Sequence, residues 1–232
     1  MRLRGVSRLS CPAAKRGPPC LCLALVIALI MCCPCAALEA DAGRHDPEAV
    51  LLLEEAARSS ANVTTLSVGF RQEKKLRILA QPLTSQGYLC VTRASAAHGE
   101  RLLWAYTSPA PSGFVYENGQ GFLWETSPAD KRPAGAQEAG VITAIVRHML
   151  DWIQIDAKVL QQTYRLERPA KDMPVLLLHP RRQSFFTKLE VVFAPSLDSV
   201  RSLTFFEAGG DTVRILFTDA HINRPLPERC AQ

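Results

Sequence analysis

The sequence predicts a mainly β protein built on a single, strongly curved antiparallel sheet with helices capping its mouth. Short segments with alternating apolar and polar residues recur along most of the chain. Asn118-Gly119 and Gly209-Gly210-Asp211 stand between such segments and are typical of hairpin turns. Almost all connections are too short for a parallel crossover. A sheet of about ten strands must curl, and a helix over a curled sheet encloses an apolar space.

Residues 1–37 have the three-part layout of a secretory signal peptide. They contain five basic residues and no acidic one, and residues 21–31 form an apolar run. That run has 11 residues, whereas a membrane-spanning helix needs about 20. We therefore expect cleavage after Ala37, Ala40 or Ala42, export to the periplasm, and a single domain over residues 38–232. Neither Cys32 nor Cys33 has the preceding residues that a lipid anchor needs.

The basic character of the whole chain comes from this first segment. The chain has 27 basic and 22 acidic residues, and removal of the five bases in residues 1–37 leaves equal numbers of each. A basic protein attracts nucleic acid through its phosphates. Because the exported part is close to neutral, we expect no nucleic-acid partner.

Only two of the eight cysteines, Cys90 and Cys230, lie beyond residue 37. Two cysteines in an oxidising compartment can form a disulfide. The alternative is a buried thiol at Cys90 and a loose thiol near the tail. The sequence leaves both possibilities open.

The first half of the exported chain begins with a helix, predicted over residues 47–58. Asp46 suits its N-cap, and Val50, Leu53 and Ala57 recur at helical spacing. Alternating apolar residues then predict six strands, over residues 66–70, 76–79, 87–92, 102–106, 113–116 and 121–125.

The second half begins with a return of the helical period from Gln137. One stripe of this predicted helix carries Val141, Ile142, Ile145, Met149 and Ile153. A short second helix is predicted over residues 156–162. Five further strands are predicted over residues 164–168, 175–179, 189–193, 200–207 and 213–218.

No motif in the sequence indicates an enzyme, a metal site or a cofactor. The sequence has no Gly-x-Ser-x-Gly elbow, no phosphate-binding glycine loop and no paired-histidine motif. The histidines are scattered without metal-ligand spacing, at His45, His98, His148, His179 and His221. We therefore expect a binding protein without catalytic activity.

Several motifs together resemble the LolA-like family of periplasmic lipoprotein carriers. The early motifs are a Phe-x-Gln-x-Lys strand from Phe70, a Gly-x-Leu strand from Gly87 that ends at Arg93, Trp104 with Pro109, and Phe114-Val115 before Asn118-Gly119 and Trp124. The late motifs are Leu178-x-Pro180, Glu207 with Gly210-Asp211-Thr212, Phe217, and Ile222-Asn223-x-Pro225-Leu226. Each motif alone is weak, and their shared order and spacing carry the resemblance.

The resemblance implies an unclosed barrel, capped by helices, that holds the acyl chains of a lipoprotein as it moves from the inner to the outer membrane. The lipid-binding residues that it implies are Phe70, Arg93, Trp104, Phe114, Trp124, Ile145 and Met149. Its partners would be an inner-membrane extraction transporter and an outer-membrane acceptor, and we expect a monomer.

Other interpretations remain open. The same fold could carry another amphiphile, such as a glycolipid or a lipid-linked product, or could serve a periplasmic sensor of lipoproteins. Alternating apolar residues also commonly fill a solid core.

Overall fold

One antiparallel sheet of eleven strands is the main element of the part of the chain that the structure describes. The computed structural model describes residues 45–94, 99–135 and 155–231. The strands are β1 (Thr65–Lys75), β2 (Leu83–Thr92), β3 (Arg101–Ser108), β4 (Ser112–Glu117), β5 (Gln120–Trp124), β6 (Arg132–Pro133), β7 (Tyr164–Glu167), β8 (Val175–Pro180), β9 (Lys188–Phe193), β10 (Val200–Phe206) and β11 (Thr212–Ile222). The helices are α1 (Pro47–Ser60) and α2 (Ala157–Thr163), with short 3-10 helices at Pro128–Asp130 and Glu228–Cys230.

The strand order explains why the sheet stays open. It runs β6-β5-β4-β3-β2-β1-β11-β10-β9-β8-β7, so the first and last strands pair at the centre and β6 and β7 form the two edges. Neighbouring strands rotate by about 20 to 25° relative to one another, so a sheet this wide curls strongly. The predicted fold class, a mainly β protein with one unclosed sheet and capping helices, is confirmed.

Helix α1 begins where the sequence predicted. The Asp46 side chain accepts a hydrogen bond from the Glu48 amide at 2.9 Å, and a proline occupies the first turn. Of the three residues in the predicted stripe, Leu53 is buried and Val50 and Ala57 are partly buried. The buried residues of α1 are Ala49, Leu52, Leu53, Ala56 and Ser60. Val50 and Ala57 pack at the border of the same core.

The second predicted short helix is also present. The Asp156 carboxylate accepts a hydrogen bond from the Val159 amide at 3.0 Å and caps α2, which leads directly into β7. The longer helix predicted from Gln137, with Ile145 and Met149 on its apolar stripe, lies outside the described residues.

The strand predicted over residues 76–79 is wrong. β1 continues through charged residues to Lys75, and the following segment is the turn of the β1–β2 hairpin. Ile78 is 89% exposed and Leu79 is 43% exposed. The alternation predicted a half-buried strand, but at this end of the hairpin no second layer covers these side chains.

Apolar side chains cover both faces of one half of the sheet. The face that α1 covers, called the inner face here, carries a continuous core to which nine strands contribute buried residues. The opposite face, called the outer face, carries a smaller cluster made of Cys90, Leu103, Ala105, Val115, Trp124 and Cys230. The alternation of side chains along each strand assigns neighbouring residues to different faces.

Neither helix in the described ranges has the length and apolar character needed to span a bilayer.

Candidate functional site

An aromatic group lies on the inner face, formed by Phe70 on β1 and by Trp104 and Tyr106 on β3. Phe70 stacks on Trp104 with ring centroids 4.2 Å apart, and Tyr106 meets Phe70 edge-on at 5.4 Å. Such pairs contribute about 0.5–1.5 kcal/mol beyond the burial of their area. The group forms a large apolar surface in the half of the sheet from β1 to β6.

The polar end of this group, the Tyr106 hydroxyl, is hydrogen-bonded. The Tyr106 hydroxyl lies 3.1 Å from Gln72 Oε1 and donates to it. Burial raises the pKa of the Tyr106 phenol, while its hydrogen bonds with Trp104 and Gln72 act in the opposite direction. The phenol therefore stays neutral at physiological pH, and the aromatic group carries no charge.

The structure separates two residues that the sequence placed in one lining. Phe114 on β4 packs against the inner core beside Leu123, its partner on β5. Trp124 follows Leu123 and therefore points to the outer face, where its ring lies over Gly113. The prediction that Trp124 lines the same space as Trp104 does not hold for this geometry. The sequence could not show which face each residue takes, because apolar residues occupy both faces here.

The C-terminal tail explains why the outer face is apolar at this point. Cys230 is joined to Cys90 on β2 by a disulfide and is fully buried. Arg101 on β3 donates a hydrogen bond to the Cys230 carbonyl, and the Arg229 guanidinium lies 5.0 Å from the centre of the Tyr88 ring. The tail therefore covers Trp124 and its neighbours, away from the inner face.

Arg93 connects the sheet to the end of α1. It follows β2 by one residue and lies two positions beyond the inner-face residue Val91. Its guanidinium donates to the Ala61 carbonyl at 3.2 Å, and its amide donates to the Thr64 carbonyl at 2.9 Å. Burial lowers the pKa of Arg93, but an arginine remains a cation at neutral pH. This charge lies at the C-terminal end of the helix, where the helix dipole favours a cation.

The inner aromatic group is buried. Trp104 and Phe70 are each 3% exposed. A cleft beside this core, lined by Leu66, Val200 and Phe217 among others, has a volume of about 20 Å³. Sites for small molecules usually have volumes of about 300–1,000 Å³. The open cavity that the resemblance implied around Trp104 is therefore not found in the described residues, where these side chains pack against each other.

Sequence reasoning missed a second aromatic group on the inner face. Phe186, from the loop between β8 and β9, lies 6.2 Å from Tyr164 and 5.4 Å from Phe205 between ring centroids. The neighbouring Phe185 is 58% exposed and lies 5.9 Å from Phe205. The signal was present in the sequence, since Phe185-Phe186 is an apolar pair within a polar loop.

Two histidines lie at the β7 edge of the sheet. His45 Nδ1 accepts a hydrogen bond from the Leu166 amide at 3.3 Å, and its Nε2 lies 3.0 Å from the Arg181 guanidinium. Burial, and then Arg181, lower the pKa of His45. Burial and Arg165 also lower the pKa of His179, although Glu167 opposes this. In the described part of the chain, no three potential metal ligands lie together.

The fold is similar to several solved structures. MucB is 16% identical, with a TM-score of 0.50 over 82% of this chain and 64% of the MucB chain. In the Pseudomonas aeruginosa MucA/MucB complex the identity is 15% and the TM-score 0.45, over 80% of this chain and 60% of that one. The Mycobacterium tuberculosis lipoprotein LppX is 10% identical, with a TM-score of 0.44 over 78% of this chain and 98% of LppX.

At these identities the solved structures support the fold alone. A comparison with curated proteins found no significant match. The sequence matches the family model for the outer membrane lipoprotein carrier protein LolA over residues 61–230, which is most of the chain. Together with the open antiparallel sheet, this match means that the chain belongs to the LolA family.

Proposed function

We propose that the protein is a periplasmic carrier that shields the acyl chains of lipoproteins against its inner face and ferries them from the inner to the outer membrane. The observation that carries the proposal is the continuous apolar inner core of a LolA-family sheet, with aromatic groups around Trp104 and around Phe186. Its partners in this role are an inner-membrane extraction transporter and an outer-membrane acceptor.

The energetic need for a carrier follows from the cargo. Moving each methylene group from water to an apolar site gains about 0.8 kcal/mol, so an acyl chain of about 16 carbons rarely leaves a membrane unaided. A protein that covers such chains must also release them. An open sheet with a movable cover meets both requirements.

Helix α1 is the cover within the described residues. Two of its four buried apolar residues are alanines, so its separation from the sheet exposes a modest apolar area. Polar contacts hold its two ends: the Asp46 carboxylate accepts from the Arg168 amide at 3.1 Å, and Arg93 donates to the Ala61 carbonyl. We propose that α1 moves away from the inner face when an acyl chain binds, and that Arg93 holds the closed state.

The proposed lipid-binding residues follow from this geometry. Phe70, Trp104 and Phe114 belong to the inner core or pack against it. Ile145 and Met149 remain proposed lining residues on the strength of their helical stripe. We do not propose Trp124 as a lipid-binding residue, because it belongs to the outer cluster. We propose no catalytic role for any of these residues.

The opposite positions of Trp104 and Trp124 provide the test. The protein has three tryptophans, so W124F/W152F leaves Trp104 as the only one and W104F/W152F leaves Trp124. Each variant is titrated with a brominated long-chain fatty acid, whose bromine quenches an indole that it contacts. We expect saturable quenching of Trp104 and none of Trp124. The unbrominated acid controls for changes in fluorescence without contact.

Absence of quenching in both variants, or equal quenching of both tryptophans, would contradict binding at the inner face. Native mass spectrometry of the protein isolated from its own cells identifies the cargo. If a glycolipid or another amphiphile co-purifies in place of a lipoprotein, the proposed site stands and the proposed cargo is wrong.

A further inference from the structure

Five connections between neighbouring strands lie at one rim of the sheet. β1 ends and β2 begins at this rim, and the antiparallel register places the β3–β4, β5–β6, β8–β9 and β10–β11 connections at the same end. The β7–β8 connection lies at the opposite rim, because β7 runs away from the first rim and β8 runs toward it. The strand directions thus sort the loops into two groups.

This rim carries most of the exposed large apolar side chains. Ile78 is 89% exposed, Phe185 58%, Leu83 44% and Leu79 43%. Among the described residues the other large apolar side chains with this exposure are Leu51 on α1 and Met173 at the opposite rim. A soluble domain usually buries or scatters such residues, and their concentration on one rim marks a contact surface.

Basic residues surround these apolar ones. The segments 74–83, 125–131, 181–188 and 207–211 contain seven basic and four acidic residues. The basic residues are Lys74, Lys75, Arg77, Lys131, Arg181, Arg182 and Lys188, and the acidic ones are Glu125, Asp130, Glu207 and Asp211. One of these acids is engaged within the rim, since the Asp211 carboxylate accepts from the Arg77 amide at 2.9 Å. The rim therefore carries excess positive charge, although the chain beyond residue 37 is close to neutral.

The turn between β1 and β2 points to a lipid surface as the partner. Ile78 lies in this turn, and the neighbouring Arg77 donates hydrogen bonds from its guanidinium to the Gly209 carbonyl and from its amide to the Asp211 carboxylate. An exposed apolar turn with basic residues beside it suits insertion between lipids, with the cations at the level of anionic head groups.

We propose that this rim docks on the surface of an anionic phospholipid bilayer, with Ile78 and Leu79 inserted and Lys75 and Arg182 at the head groups. Phe185 provides a second apolar contact on the same rim. It stacks on Phe205 and meets Phe186 edge-on, so it connects the docked rim to the inner core. This inference goes beyond the proposed function, because docking does not require that the cargo be a lipoprotein.

Vesicle flotation tests the proposal. Full-length protein is expressed, and the form that the cells accumulate is mixed with vesicles of phosphatidylcholine, with or without phosphatidylglycerol. We expect binding that requires phosphatidylglycerol and weakens with added salt. I78S/L79S should weaken it about tenfold or more, because two apolar contacts are lost. Lys75→Gln should weaken it about fivefold through the loss of one cation.

The matched control is Met173→Ser, which removes an exposed apolar side chain from the opposite rim and should leave binding unchanged. All variants share residues 1–44 with the wild type, so any contribution from that segment cancels. Equal losses in M173S and I78S/L79S, or equal binding with and without phosphatidylglycerol, would overturn the proposal. Uptake of fluorescent fatty acids is measured in parallel and tests the carrier proposal independently. I78S/L79S should retain this uptake.

Discussion

The ring of Phe70 lies directly over Gly87, its partner on β2. A Cβ atom at Gly87 would come 2.6 Å from Phe70 Cζ and 2.0 Å from the Ala105 carbonyl oxygen. The absence of a side chain at Gly87 is therefore what allows Phe70 to reach Trp104 across the sheet. The inner aromatic group therefore requires a glycine at position 87.

We expect Gly87→Ala to lower the free energy of unfolding by at least about 2 kcal/mol, because the new methyl group overlaps both a ring and a carbonyl. Urea unfolding monitored by circular dichroism measures the change. Gly209→Ala is the matched control, since no atom lies within 4 Å of the added Cβ, and it should change stability by less than about 0.5 kcal/mol. Similar losses for the two variants would contradict the packing argument.

The Cys90–Cys230 disulfide should contribute strongly to stability. It joins residues 140 positions apart, and in the chain-entropy model a loop of this length is worth about 5 kcal/mol at most. We expect C90A/C230A to lose about 2–5 kcal/mol in urea unfolding and to expose the C-terminal tail to proteases. A reducing agent should destabilise the wild type and leave C90A/C230A unaffected. Equal sensitivity of the two proteins to the reductant would assign its effect to other cysteines.

Stability should fall as the pH drops below about 6.5, owing to His45 and His179. In both residues the folded-state pKa lies below the usual value of 6.5, chiefly because of burial. The unfolded chain then binds more protons than the folded one as the pH falls through 6.5 toward the folded values, so stability is present above this window and lost within it.

The urea midpoint measured between about pH 8 and about pH 5.5 checks this expectation, since carboxyl groups titrate mostly below that range. H45Q/H179Q should show a flatter profile over the same window. An unchanged slope in this variant would show that other groups cause the pH dependence.

Turns were predictable because particular residues determine them. Asn118 and Gly119 adopt φ angles of 49° and 86°, and few other residue pairs tolerate both. Asp46 and Asp156 likewise marked the starts of the two described helices through their capping oxygens. These features depend on nearby residues alone, so the sequence was sufficient to find them.

The face of each strand was less predictable, because burial depends on distant parts of the chain. Trp124 faces outward and is still buried, since a tail more than 100 residues later is bonded to Cys90 on the same face. The segment from Leu76 to Leu79 alternates like a half-buried strand, yet no layer covers it. Neither outcome is encoded in the local pattern. The packing of the Trp104 side chain could not be predicted either, because the pattern of apolar residues does not show whether a curved sheet encloses a cavity or a packed core.

The pairing of β1 with β11 constrains when the sheet can be completed. Each flank is a series of hairpins between consecutive strands, which can form early because their contacts are local. The central seam joins residues such as Phe70 and Phe217, which lie far apart along the chain. The long-range pairing of β1 with β11 can be completed only after residue 222 has been synthesised, and such pairing is slow. We therefore expect the newly made chain to remain loosely folded until its last strand has been synthesised.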